Sequence, residues 1–209
     1  MNHVLVALGW GVIGAAAGWL VRWGSVKLAI LEGLQPGHRR WQVWGPPILS
    51  AIIFAALGYV FGAEPLLLLR SVFALVLVQV IFFDFEHRLI LDRVLFPSIA
   101  LALVVSLLGD PWWAGLATGV GAGLLFTFLA VAGAFLFKTE ALGFGDVKLA
   151  LFMGLLLGWP HIVSALFYGV FLAGAVSIGV IVWRRSLKGT IAYGPYLAAG
   201  ALIVLFQMR

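Results

Sequence analysis

The chain contains no cysteine among its 209 residues. This absence excludes disulfide bonds, thiolate catalysis and any zinc site built on cysteine ligands. Charged residues are also scarce, at 10% of the chain, whereas 64% of the residues are hydrophobic. A water-soluble fold with so few charges could not cover its own surface with polar groups. The composition therefore predicts an integral membrane protein.

The net charge of +5 does not by itself indicate nucleic-acid binding. A membrane protein carries basic loops on its cytoplasmic side in any case. The sequence also has neither a glycine-rich phosphate loop nor a dinucleotide fingerprint. We therefore expect membrane lipid, and not nucleic acid, as the surroundings of this chain.

Long apolar runs fill most of the sequence, and a spanning helix needs about 20 residues. On that measure eight spans are predicted, at residues 4–21, 46–62, 66–83, 93–109, 113–137, 147–158, 162–182 and 191–207. The sixth run is short, so it must begin inside the preceding glycine-rich segment, tilt, or cross a thinned bilayer. The predicted fold is all-α and polytopic, with about eight transmembrane helices in a single domain, residues 1–209.

The loops between these spans differ in charge. Eleven of the thirteen Lys and Arg residues lie in loops on one side, whereas the opposite loops 62–65, 109–113 and 158–161 contain none. Because basic residues in short loops stay on the cytoplasmic side, this asymmetry predicts that both termini are outside. It also places Asp84 and Asp146 at the cytoplasmic face.

Two loop and helix features are interpreted as packing and membrane contacts. The first cytoplasmic loop, residues 22–45, is basic and rich in tryptophan, so we expect it to lie among anionic headgroups, with substrate docking as a second interpretation. Pro46-Pro47 is expected to start the second span. In the fifth span Gly115, Gly119 and Gly123 repeat at four-residue spacing, which predicts a close helix–helix contact.

Two aspartates at the edges of apolar runs are the candidate catalytic residues. A charged side chain near the bilayer interior costs about 2.5–3.5 kcal/mol, so such residues usually mark a function or a partner. Two neighbouring carboxyls cannot both ionise easily, and such a pair can activate water. The residues alone leave open peptide hydrolysis by Asp84 and Asp146, a transporter that uses them for proton or cation transfer, and a non-catalytic scaffold.

The residues around the two acids have structural interpretations. Gly143 and Gly145 are expected to allow a sharp turn and the approach of an extended substrate. Lys148 is expected to balance charge or to extend towards the membrane surface, because two residues along a helix it points away from Asp146. We predict no metal site, since a hard cation needs several converging oxygen ligands.

Four segments carry a resemblance to a known family. Gly143-Phe144-Gly145-Asp146 resembles the Gly-x-Gly-Asp motif of the type IV prepilin leader peptidases, which are bacterial membrane aspartic peptidases. The segment 84–92 is similar to the family's first motif, an Asp followed by an Ile/Leu-Pro-Asp/Asn element. Glu140 and the segment 193–200 resemble two further features, and the four segments occur in family order.

The chain also departs from the family pattern. Leu91 stands where the family has a proline, and the first span lacks the asparagine usual at its cytoplasmic end. The short loop 22–45 replaces the cysteine-bearing, zinc-binding insert that many members have. That insert is associated with methylation of the new amino terminus, so only the peptidase activity is expected without reservation.

The resemblance implies removal of the short, basic leader from prepilin or pseudopilin precursors, after a glycine, at the cytoplasmic face of the bacterial inner membrane. It assigns catalysis to Asp84 and Asp146, with either acting as base. The residues implied as motif support or substrate contacts are Gly143, Gly145, Glu86, Asp92, Glu140 and Lys148. Glu86 and Asp92 are expected to pair with Arg88 and Arg93 or to contact the basic leader. No cofactor is implied, except S-adenosylmethionine if methyl transfer is retained.

Overall fold

The structure, a computed structural model, describes residues 2–137, 142–184 and 192–208. Within these ranges the chain forms eight α-helices and no strand. The helices are α1 (His3–Leu31), α2 (Arg40–Phe61), α3 (Leu67–His87), α4 (Asp92–Leu107), α5 (Trp112–Phe137), α6 (Phe144–Leu157), α7 (His161–Arg184) and α8 (Gly194–Leu205). The predicted all-α class is confirmed, and each predicted span corresponds to one helix.

The helices fall into two length classes. In the described part of the chain α1, α2, α3, α5 and α7 are long and apolar enough to cross a membrane. The other three, α4, α6 and α8, have 16, 14 and 12 residues and are shorter than the usual span of about 20. Of the three possibilities named for the sixth span, the structure shows the first, since α6 begins at Phe144, within the glycine-rich segment. The chain is a multi-pass membrane protein.

The helices group into two compact units, Met1–Arg88 and Leu89–Arg209. In the first unit α2 packs along α1 and also contacts α3. In the second unit α6 contacts α4, α5, α7 and α8, so it is the central helix of that unit. The assignment of the whole chain to a single domain stays a prediction.

Small residues let α1 and α2 pack with their backbones in contact. A Cβ atom added at Gly14 would lie 2.6 Å from the Cβ of Phe54, and one at Gly18 would lie 2.6 Å from the Pro46 carbonyl oxygen. The expectation that Pro46-Pro47 starts the second helix was wrong. The helix begins at Arg40, and both prolines lie inside it against α1.

The loop predicted at residues 22–45 is mostly helical, because α1 continues to Leu31 and α2 begins at Arg40. Two polar residues of that predicted loop have partners within the first unit. Arg22 pairs with Glu86, and the Ser25 hydroxyl donates to the Gln79 side-chain oxygen at 2.8 Å. A prediction based on apolar length ends the helix before its first charged residue, Arg22. In the folded unit this charge is paired with Glu86, so the helix continues past it.

In the second unit the small-residue face of α5 packs on α6, as predicted. Cβ atoms at Gly119 and Gly123 would lie 2.6 and 3.3 Å from side-chain atoms of α6. From the other side, a Cβ at Gly154 would lie 2.7 Å from the Gly119 Cα. The two helices therefore touch through their backbones, and this contact fixes the helix that carries Asp146.

Candidate active site

Asp84 lies in the last turn of α3 and is buried, with 5% of its surface exposed. Arg88, the residue that follows the helix, adopts a left-handed conformation with φ of 53° and donates its N–H to the Asp84 carbonyl at 2.8 Å. A non-glycine residue in this region is uncommon and closes the helix sharply. The carboxyl is thus held in the final turn of an apolar helix.

Beside Asp84, Glu86 is the centre of a buried polar cluster. Its Oε2 lies 3.2 Å from Nη1 of Arg22, and both side chains are less than one-tenth exposed. The Gly37 peptide closes the cluster, since its N–H donates to Glu86 and its carbonyl accepts from Arg22. His87 Nε2 lies 3.3 Å from Glu86 Oε1. The cluster attaches the segment between α1 and α2 to the end of α3.

Asp146 lies in the first turn of α6 and is also buried, with 9% of its surface exposed. Its carboxylate oxygen Oδ2 accepts the N–H of Gly143 at 3.3 Å, and its own N–H donates to the Gly143 carbonyl at 3.0 Å. This reciprocal pair resembles a capping box and fixes where α6 begins. A negative charge at a helix amino terminus is also favoured by the helix dipole.

The glycines of this segment do not form the sharp turn that was expected, and the approach of a substrate to them stays a prediction. Gly143 has φ of −74° and ψ of 150°, an extended conformation that any residue adopts, so no sharp turn depends on it. Gly145 makes a close contact, because a Cβ there would lie 3.1 Å from the Cβ of buried Ile90, which is tighter than most such contacts. The glycine therefore lets the first turn of α6 lie directly on the segment before α4.

Lys148 forms an ion pair with Asp92, the first residue of α4. Its Nζ lies 2.7 and 2.8 Å from the two carboxylate oxygens. The rings of Phe96 and Phe144 flank the same ammonium, with centroids 5.0 and 5.2 Å away. The prediction that Lys148 balances charge is confirmed.

Two acidic residues have partners that the sequence did not indicate. The sequence prediction was that Glu86 and Asp92 pair with Arg88 and Arg93 or contact the basic leader. The structure pairs Glu86 with Arg22 and Asp92 with Lys148. Contact of either carboxylate with the leader stays a prediction.

Other predicted site residues stay untested. Glu140 lies outside the described residues. Asp84 belongs to the first unit and Asp146 to the second, and their pairing stays a prediction. Within the described ranges no three His, Asp or Glu side chains cluster as metal ligands would.

Sequence reasoning missed Arg22, which it treated as a loop residue. One signal was present, because Gly14, Gly18 and Arg22 follow each other at four-residue spacing and so lie on one helix face. All three are buried in the structure. An arginine in register with a packing face predicts a buried charge, and a buried charge requires an acidic partner.

The fold and these two segments define a multi-pass helical membrane protein with a buried carboxyl at each motif. The sequence profile of the type IV leader peptidase family matches residues 71–178, which include both aspartates. The chain belongs to the type IV leader peptidase family.

Several curated proteins are similar to the chain. The prepilin leader peptidase/N-methyltransferase of Bacillus subtilis is 34% identical over 161 residues, covering 75% of this chain and 62% of the relative. The protein of the same name from Pseudomonas aeruginosa is 32% identical over 166 residues, covering 76% and 54%. Leader peptidase HopD of Escherichia coli is 31% identical over 144 residues, covering 63% and 88%.

The lengths of these relatives differ from that of the chain. The chain covers between 54% and 62% of the two peptidase/N-methyltransferases, but 88% of HopD. No solved structure matches the chain significantly.

Proposed function

We propose that the chain is an aspartic endopeptidase that removes the leader from type IV prepilin or pseudopilin precursors. Family membership and the names of the relatives support peptidase action on a leader. The observation that carries the aspartic assignment is the burial of Asp84 and Asp146, each in a terminal turn of an apolar helix and each within a family motif. Buried acids in such surroundings usually have a function.

The proposed chemistry uses both carboxyl groups in different protonation states. One carboxylate accepts a proton from water as the water oxygen bonds to the scissile carbonyl carbon, while the protonated carboxyl donates a hydrogen bond to the carbonyl oxygen. The tetrahedral intermediate then collapses, the C–N bond breaks, and the departing nitrogen takes a proton from the site. The apparent pKa values of Asp84 and Asp146 belong to the coupled pair and do not assign the proton to one residue. The proposal therefore holds with either aspartate as the base.

The proposed site faces the cytoplasm of the bacterial inner membrane, with both termini outside. The support is the distribution of Lys and Arg, which are absent from the opposite loops 62–65, 109–113 and 158–161. A basic leader that stays in the cytoplasm then meets the enzyme where the substrate helix enters the bilayer. Hydrolysis by two carboxyls needs no cofactor, and S-adenosylmethionine is needed only if the chain also methylates the new terminus.

The test is leader removal by the purified protein in lipid vesicles. A prepilin with a basic leader is the substrate, and mass spectrometry of the product reports leader loss and, with S-adenosylmethionine present, an added methyl group. Asp84→Asn and Asp146→Asn should each lower the rate by about 10²–10⁴-fold or more, the range for loss of a general acid or base. Asp110→Asn is the matched control, because Asp110 is exposed and outside both motifs.

Three results would count against the proposal. Full cleavage by either variant would remove that aspartate from the mechanism. An equal loss in Asp110→Asn would indicate a general effect of removing a carboxylate. Absence of cleavage by the wild type, together with ion flux that depends on Asp146, would favour a transporter.

A further inference from the structure

The second unit contains an ion pair that the proposed proton transfers do not use. Asp92 is the first residue of α4, and Lys148 lies in the second turn of α6, two residues after Asp146. Both carboxylate oxygens of Asp92 lie within 2.8 Å of the lysine Nζ. The two residues are 56 positions apart in sequence, and their pairing joins the beginnings of two helices.

The two side chains of this pair differ in exposure. The Lys148 side chain is 20% exposed and the Asp92 side chain 51% exposed, and the rings of Phe96 and Phe144 lie about 5 Å from the ammonium. An ammonium near an aromatic face is stabilised by the ring, by about 0.5–1 kcal/mol at an exposed site. Exposed ion pairs contribute about 0–1 kcal/mol to stability, so the consequence we expect of this pair is the placement of the two helix starts.

A second contact joins the same two segments. Gly145 lies against Ile90, so close that a Cβ on the glycine would approach the Ile90 Cβ to 3.1 Å. Gly145, just before Asp146, and Lys148, two residues after it, therefore both contact the segment 90–92. One attachment thus lies before Asp146 and one after it. Together they restrict both the position and the rotation of the helical turn that carries Asp146.

We propose that Lys148 and Asp92 are positioning residues for Asp146, holding the first turn of α6 on the start of α4 so that the carboxyl is presented in the orientation that catalysis requires. This inference rests on the proposed function. It differs from a role of Asp92 in binding the basic leader, because the partner of the carboxylate in the positioning role is Lys148 of the same chain.

The kinetic test separates positioning from substrate binding. Lys148→Met and Asp92→Asn should each lower kcat by about 10–100-fold, as expected for a small misplacement of a catalytic group, and leave KM unchanged. Lys148→Arg should retain most of the activity, because a guanidinium binds both oxygens of a carboxylate. If Asp92 bound the leader instead, Asp92→Asn would raise KM, and Lys148→Met would lower KM by freeing the carboxylate.

The matched controls remove an ion pair elsewhere. Glu64 and Arg70 form a pair at 3.3 Å in the first unit, with the glutamate side chain 53% exposed. Glu64→Gln and Arg70→Met repeat the two chemical changes at this pair. Both should leave kcat at the wild-type value.

A second measurement does not depend on activity. The chain has no cysteine, so Phe96→Cys and Phe144→Cys together introduce the only two thiols, at positions whose rings both lie about 5 Å from Lys148. A short bifunctional thiosulfonate should cross-link them rapidly when Lys148 and Asp92 are intact. The rate should fall severalfold with Lys148→Met and stay unchanged with Glu64→Gln.

The results separate this inference from the proposed function. Absence of cleavage by every form, including the wild type, would contradict the peptidase proposal. If cross-linking still depended on Lys148 in that case, the attachment of α6 to α4 would stand. Cross-linking at the wild-type rate in Lys148→Met would overturn the positioning role. So would a wild-type kcat in that variant, since the carboxyl would then need no such support.

Discussion

Arg22 of α1 and Glu86 of α3 form a buried ion pair, with Nη1 and Oε2 3.2 Å apart. The two residues are 64 positions apart in the sequence, and both also bind the peptide group of Gly37. This cluster attaches the short segment between α1 and α2 to the turn of α3 that carries Asp84. Each unit thus contains an ion pair with one member two residues after a motif aspartate: Glu86 follows Asp84, and Lys148 follows Asp146.

The Arg22–Glu86 pair should be important for stability. Arg22→Met leaves a carboxylate buried without its cation, which typically costs about 3–5 kcal/mol. Thermal unfolding in detergent should therefore show a clear loss of stability. The double variant Arg22→Met/Glu86→Met should recover part of it, because no uncompensated charge remains.

The exposed pair provides the comparison for this measurement. Arg70→Met breaks a pair whose glutamate is half exposed, and such pairs contribute about 0–1 kcal/mol. If Arg22→Met were no more destabilising than Arg70→Met, the burial of the first pair would have no energetic consequence.

The contact between α5 and α6 gives a second prediction. Gly154→Ala would place a Cβ 2.7 Å from the Gly119 Cα and from the Thr118 carbonyl oxygen. These are backbone atoms that cannot rotate away, so the helices must separate, at a cost of about 1–3 kcal/mol. The unfolding temperature should fall accordingly.

A glycine of α5 that has no neighbour is the control. A Cβ on Gly121 meets nothing within 4 Å, so Gly121→Ala should be neutral or stabilising by up to about 1 kcal/mol through helix propensity. Equal effects of the two substitutions would show that close packing of α5 on α6 is not needed.

The proposed orientation predicts which loops are accessible from outside the cell. Because the chain has no cysteine, a single introduced thiol reports its own location. Ala63→Cys, in an exposed loop without basic residues, should react with a membrane-impermeant maleimide on intact cells. His38→Cys, exposed in the basic segment, should react only after the membrane is opened. The reverse pattern would place the motif aspartates on the outer face.

Apolar length predicted the number and order of the helices well, because every backbone polar group in lipid must be paired within a helix. The glycine spacing predicted the packing face of α5 for a similar reason, since small residues at four-residue intervals share one face. The ends of α1 and α2 were not predictable in this way. Arg22 counts against a helix in any local sum, and its partner Glu86 lies in another helix.

The candidate site was predicted as a set of motifs but not as a set of contacts. The sequence indicated Asp84 and Asp146, and both are buried at helix ends. It did not indicate that Asp92 would bind Lys148, because that contact depends on how α4 and α6 pack. Gly145 was expected at a sharp turn, whereas it lies in the first turn of α6 against Ile90, and the approach of a substrate there stays a prediction.

The most direct test of the central claim is whether the side chains at positions 84 and 146 meet in the membrane. Asp84→Cys/Asp146→Cys supplies the only two thiols of the chain, and a short bifunctional thiosulfonate can join them only within its own span. We predict an intramolecular cross-link in this double variant and none in Asp84→Cys/Asp110→Cys. Absence of the cross-link between positions 84 and 146, in membranes where single thiols at both positions react, would contradict the carboxyl pair.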